Sequence, residues 1–393
     1  MGVQSNKYDK DALRTINKFT KNMKFKNWKY IISFLLFLFL LGTEVIEASV
    51  LITEVMTCNL SSHLDRGSWN FPGYVELYNS DSVAVSLKGY VFEHHNRTSK
   101  GKYKYKWDWT VSENVEIPAQ YYVLLYFDKD SLVSMHSSRK LDSDGGIIYL
   151  RDANENLVDM ITYQPMVAHI AYGFDSLGRD GYMLPTPGKV NMRSFETLSE
   201  RVDSLYFDGA TPGIQEGEVS VSFKCNTERV KIHYTTDGSD PTENSPLFGD
   251  SALMLDTTVT IKARAYSDSL LPSEMLVGTF IFMDEFHASC GGFSVPIVSI
   301  SIDDKFYNDD SMGIAVRGVN GIKGNGTSYP ANFNQDWNRA AVFEYIVDGK
   351  QVLSEEVEVG ISGGNTRTYT EIPKSLKIKT GKKIGSGKDV FLL

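Results

Sequence analysis

The sequence predicts a mainly β chain of tandem sandwiches, and three observations carry that prediction. Short runs of alternating apolar and polar residues recur along the chain, such as Tyr74-Val75-Glu76-Leu77-Tyr78-Asn79, and a period of two marks a half-buried strand. Clusters of Gly, Asn, Asp and Pro separate the runs, as turns require. Tyr and Phe are abundant, 21 of each, and with Val and Thr they favour a pleated, half-buried surface.

At 393 residues the chain is long enough for two to four domains, each with its own core. Its formal net charge is −9. Basic residues crowd the head, where Lys7, Lys10, Arg14, Lys18, Lys21, Lys24, Lys26 and Lys29 face only Asp9 and Asp11. The rest is therefore more acidic than the whole. That argues against a nucleic-acid partner, which needs a basic footprint.

The leading segment, 1–48, pairs this basic n-region with an apolar run over 30–42. The run is short for a membrane span of roughly 20 residues and fits a signal peptide with a small residue, Ala48, at the cleavage point. An uncleaved anchor extending through Val45 and Ile46 is the alternative. Either way the expectation is export, to the medium or the cell surface, by signal-directed membrane translocation.

Residues 49–192 read as the first sandwich. Strands are expected over 50–56, 74–79, 83–92 with a break at Lys88-Gly89, 121–127, 147–150 and 157–163. The 121–127 run is nearly all apolar, which suits a strand covered on both faces. The insert 94–109, HHNRTSKGKYKYKWDW, is basic and aromatic. It reads either as a contact loop for a glycan or anionic surface, or as a long hairpin whose cationic edge blunts strand pairing. In order, ITEVM, YVELYNSD, SLKGYVF, IPAQYYVLLYFD, GGIIYLRDANENLVDMITY and PTPGKVN resemble a lamin tail domain of the bacterial exported type. The resemblance implies an immunoglobulin-like sandwich used for binding or spacing.

Residues 193–217 read as a linker, with a short helix expected over 194–203. A smaller β unit follows at 218–283, with strands over 219–223, 231–236, 257–266 and 277–282. The stretch HYTTDGSDPTENSPLF and then TVTIKARAYSDSLLPSE resemble the C-terminal β-sandwich module of chitobiase and β-hexosaminidase, an accessory domain without the glycosidase acids. Asp237, Asp240 and Glu243 are accordingly expected to be capping and solvated turn residues. A glycosidase would need paired carboxylates at a set separation.

Residues 284–294 are a second linker, and 295–393 the last unit. Asp303, Asp304, Asp309 and Asp310 lack the ligand comb of a calcium loop and read as turns. The pieces PIVSISID, the Gly313 to Gly318 stretch, NFNQDWNR with VFEYI, the glycine turn 360–364 with Arg367, and PKSLKIK resemble the start of the CotH family, atypical kinases similar to spore coat protein H. On pattern alone, 359–393 is either a hairpin with a solvated basic face or a glycine loop and lysine strand able to cradle phosphate.

The resemblance implies an incomplete α+β N-terminal kinase lobe. It makes Lys374 and Arg367 the candidate contacts to ATP phosphates. Mg²⁺ and ATP would serve a complete kinase domain, and the acids that bind metal and accept the proton are expected beyond these residues, since Asp389 is the single acid after Lys374. No catalytic or metal residue is assigned. Two expectations stand: a binding and spacing protein without phosphoryl transfer, contacting a surface protein or glycan through its sandwiches; or the front part of a CotH-type protein kinase. Cys58, Cys225 and Cys290 show no metal or disulfide spacing.

Overall fold

A computed structural model describes residues 50–283, 295–324, 327–364, 367 and 374–380. The expected signal segment, Cys290 and the linker around it, Pro373 and the last residues lie outside the described residues.

The first unit contains β1 (Val50–Met56), β2 (Tyr74–Asn79), β3 (Val85–Ser86), β4 (Val91–Arg97), β5 (Tyr103–Thr110), β6 (Glu116–Ile117), β7 (Tyr122–Phe127), β8 (His136–Ser137), β9 (Gly146–Arg151), β10 (Leu157–Tyr163), β11 (Ala171–Phe174) and β12 (Asp180–Met183). They form a six-stranded sheet, β12-β11-β1-β2-β7-β8, and a four-stranded sheet, β10-β9-β4-β5, with β3 and β6 paired to each other. Val50, Ile52, Val75 and Leu77 from the first sheet meet Phe92, Ile148, Leu150 and Ile161 from the second. Alternate residues of each strand face inward, as sandwich packing demands.

Three details sharpen the sequence reading. The break expected at Lys88-Gly89 divides 83–92 into two strands, because Leu87 and Tyr90 close a turn (Tyr90 N to Leu87 O, 2.9 Å) and Gly89 takes φ +85°. Only the second half of β7 is buried; its first half borders an open groove. The basic insert is the β4–β5 hairpin with β5 at the sheet edge, which agrees with the edge reading. Lys104 and Lys106 point out, while Trp107 is buried and donates Nε1–H to the carbonyl of Lys140 at 3.2 Å.

The second unit comprises β13 (Tyr206–Gly209), β14 (Gly213–Gln215), β15 (Val219–Lys224), β16 (Lys231–Thr235), β17 (Leu253–Leu255), β18 (Val259–Tyr266) and β19 (Leu276–Phe282). Val221 and Phe223 pack on Ile261, Ala263, Ala265 and Phe280 between its layers. Part of the stretch read as a linker is thus strand: β13 pairs with β15. No helix forms over 194–203. Thr197 and Glu200 close one turn there, and the chain then bridges to Leu271 (Val202 N to Leu271 O, 2.9 Å).

The last unit contains β20 (Ile297–Ile302), α1 (Asp304–Tyr307), β21 (Ile322–Gly324), β22 (Thr327–Ala331), β23 (Arg339–Val347), β24 (Lys350–Ile361) and β25 (Leu376–Lys379). The closing stretch is a hairpin, since β25 runs antiparallel to β24 with Ile361 opposite Leu376. The unit has no separate sheet for its main strands. One eight-stranded sheet runs β16-β18-β19-β14-β24-β23-β20, with β25 on β24. Its splice is β14, parallel to β19 on one side and bonded to β24 at Gly213 and Lys350 on the other. Glu344, fully buried on β23, stitches the same region. It accepts hydrogen bonds from Thr279 N at 2.9 Å, Ser299 Oγ at 3.2 Å and Gln351 Nε2 at 2.6 Å.

Candidate functional site

The structure brings the two candidate phosphate-binding residues together but points both inward. Arg367 is buried and donates Nε–H to the carbonyl of Gly363 at 2.7 Å, Nη2–H to Ile361 at 2.8 Å and Nη1–H to Phe333. Its fork thus closes the glycine turn in which Gly363 adopts φ +76°. Lys374 donates to the carbonyl of Arg367 at 3.3 Å and lies 4.5 Å from the centroid of the Phe333 ring, a cation–π geometry. Burial lowers the pKa of both groups. On the solvated side, Lys377 pairs with Asp336. These cations hold a hairpin in place.

The strongest polar constellation lies where the units meet. Arg339 is fully buried at the start of β23. It donates to Trp69 O at 2.8 Å, to Met312 O at 3.0 Å and to Asn338 O at 3.1 Å. Its charge lies 4.7 Å from the Trp337 ring and 5.6 Å from the Phe71 ring. Burial pushes its pKa down to about 10, so it stays cationic at neutral pH. Trp337 Nε1–H donates to Ser68 O at 3.1 Å, and Phe71 meets Phe306 edge-on at 5.4 Å.

The loop that presents these carbonyls is pinned from behind. Asp65 accepts from Gly67 N at 3.0 Å and Ser68 N at 2.6 Å. His136, buried, bonds Asp65 at 3.2 Å through Nε2 and Asp128 at 3.0 Å through Nδ1. Burial opposes a charged imidazole, but the two carboxylates outweigh it and push its pKa up to about 9. Asp65 and Asp128 are desolvated, yet the hydrogen bonds they accept hold both below the usual carboxylate range.

A second contact zone holds a half-open cavity of 240 Å³ lined by all three units, including His169, Arg201, Arg264 and Glu356. His169 bonds Glu356 at 3.1 Å, and Arg201 pairs with Glu274 at 2.9 Å. The Nε–H groups of Arg201 and Arg264 are buried with no protein acceptor, a costly state that invites a water or ligand oxygen. Nearby, Asp240 accepts from the nearly fully buried Lys262 at 3.1 Å and from Ser61 Oγ at 3.4 Å. Asp240 is thus a bond between units, unlike the solvated turn residue expected, because the turn folds back onto β18. Asp237 does cap its own turn, accepting Ser239 N at 3.0 Å.

Among the described residues, no group of three or more His, Cys, Asp or Glu is arranged to hold a metal. Asp303 caps α1 and Asp309 accepts Ser311 N at 2.8 Å, both turn roles. Cys58 and Cys225 are not bridged to each other. Sequence reasoning missed Arg339, Glu344 and His136. Arg339 stood in the QDWNR stretch, but a lone arginine beside an aromatic carries no signal of its buried carbonyl partners.

Comparison with known proteins places two stretches. The lamin tail domain family matches residues 47–165, and the chitobiase/β-hexosaminidase C-terminal domain family matches residues 210–277. No curated protein matches the chain. Among solved structures, the exo-chitosanase CsxA of Amycolatopsis orientalis is similar at 14% identity and a TM-score of 0.17, over 52% of this chain and 25% of that one. A complex of a variant of that enzyme with PNP-β-D-glucosamine is similar at 13% identity and a TM-score of 0.17, over 56% and 26%. The chain spans about a quarter of the length of these structures. It is a modular β protein with one stretch similar to lamin tail domains and one similar to the chitobiase/β-hexosaminidase C-terminal domain.

Proposed function

We propose that the chain is an exported binding and spacing protein whose β units act as one stiff body. The observation that carries this reading is Arg339, fully buried between units and donating to Trp69 and Met312. A buried cation satisfied by carbonyls from two units resists sliding between them, since separation strands charge and acceptors together. The basic head and apolar run support export, with an uncleaved anchor as the other form. The partner is a surface protein or a glycan. The seam cavity, with open guanidinium donors beside Glu355 and Glu356, suits a hydroxyl-rich unit that both donates and accepts.

Residues 295–393 form, in a second reading, the front of a CotH-type kinase acting on exported proteins with ATP and Mg²⁺. The order of PIVSISID, QDWNR and PKSLKIK favours it. Lys374 would then leave the Phe333 ring to meet a phosphate.

Limited proteolysis with thermal unfolding of the full chain tests the first reading. One cooperative transition and no early cleavage over 193–217 are expected. Separate transitions for separable units would sink it. Saturable ATP binding that disappears in Lys374→Ala would favour the kinase instead.

A further inference from the structure

The outer face of the six-stranded sheet carries a groove of 480 Å³ that no role described so far uses. Its floor is one cross-strand row. Leu51, Tyr78 and Tyr122 are direct neighbours on β1, β2 and β7, and the two tyrosine rings lie 4.6 Å apart at 33°. Phe174 forms one wall and Asp159 stands at the end. Asp159 is placed by two β-bulges that meet there, one in β1 at Ile52/Glu54 and one in β10 at Leu157/Asp159. Its carboxylate accepts Ile52 N at 2.7 Å and Met160 N at 2.7 Å, and no cationic side chain pairs with it among the described residues.

The surroundings leave the Asp159 charge unmatched. Glu76 lies on the neighbouring row and is fully buried, and Asp175, a second carboxylate in the lining, is matched by Arg179 at 2.7 Å. Tyrosine faces are themselves electron-rich and attract cations. The groove is thus mostly apolar, aromatic at its floor, and one positive charge short.

We propose that this groove seats a basic side chain, arginine or lysine, presented by a partner protein. The aliphatic stem would lie on Leu51 and Phe174, the cationic head over Tyr78 and Tyr122, and one N–H would reach Asp159. The free lone pairs of that carboxylate accept it without breaking the backbone bonds.

The test is an NMR titration of the full chain with N-acetyl-arginine methylamide, its lysine counterpart and the neutral N-acetyl-citrulline methylamide. Both cations are expected to bind, with the citrulline probe at least about fivefold weaker. Asp159→Asn and Tyr122→Leu should each weaken the cations by about fivefold or more. Asparagine can replace only one of the two accepted bonds, so Tyr122→Leu, at a half-buried groove position, decides the matter if Asp159→Asn fails to fold. Equal binding of citrulline, or cation affinity unchanged in the folded variants, overturns the proposal.

Discussion

The guanidinium of Arg339 donates to the carbonyl of Trp69 at 2.8 Å, across 270 positions of sequence. The bond closes a long loop that ends in a buried charge. Replacing the arginine by methionine keeps much of the stem but strands the carbonyls of Trp69 and Met312. We expect Arg339→Met to cost about 3 kcal/mol, and to let the first unit melt separately in calorimetry. An unchanged single transition would contradict the seam's importance.

Gly213 is the next weak point. Its φ is +126°, and a Cβ there would lie 2.0 Å from the carbonyl oxygen of Gly349. Gly213→Ala must therefore push β14 off β24. A loss of about 2–3 kcal/mol is expected from the strained backbone alone, read by urea unfolding. Hydrogen exchange should rise first at Ile214, whose N–H donates to Gly349 at 2.8 Å.

Glu54 and Glu76 face each other on β1 and β2, both fully buried. They hold one loop: Thr186 N donates to Glu54 at 2.9 Å and Gly188 N to Glu76 at 2.6 Å. Burial, with help from Glu54, pushes the Glu76 pKa up to about 7 from an ordinary 4.5. A raised folded pKa means the folded chain holds the proton more tightly. Its contribution is complete below 4.5 and is lost as pH rises through about 7. Glu76→Gln should thus stabilise the chain by about 1–3 kcal/mol at alkaline pH relative to the parent, with the gain vanishing in acid. A gain of equal size at every pH would rule this out.

His136 titrates in a second window. Its stabilising charge is fully present below an ordinary 6.5 and is lost as pH rises through about 9. His136→Gln should cost about 3 kcal/mol at neutral pH and flatten the alkaline limb that Glu76→Gln leaves in place. Denaturant melts of both variants across that range separate the two groups.

Arg367→Met removes three donors from backbone carbonyls at once, two of them buried. We expect a loss of about 2–3 kcal/mol with increased protease cutting in the glycine turn. Intact stability would show that the arginine is held there for another purpose.

Much of the strand pattern was legible because many strands alternate and most turns are punctuated. The β1, β2, β10 and β18 runs lie where the period-two reading put them. The shared sheet was not legible, since β14 is three residues long and its partner Lys350 lies far along the chain. Nor was the direction in which Arg367 and Lys374 point. A glycine turn followed by basic residues has the same pattern whether its cations face solvent or, as here, carbonyls and a phenyl ring. Asp240 failed similarly, because a turn residue becomes a bond between units only when a distant side chain, here Ser61, reaches it. His136 sits in an unremarkable stretch, and only the fold supplies its two carboxylates.

Leu271 belongs by sequence to the smaller sandwich, yet it is fully buried in the first unit's core beside Phe195. A gene segment cut at residue 192 would leave that core missing its plug. The lamin-tail-like and chitobiase-like stretches therefore cannot be swapped into other chains as interchangeable beads. Recombination that kept every recognisable motif but changed the neighbour would have to rebuild the socket for this one leucine.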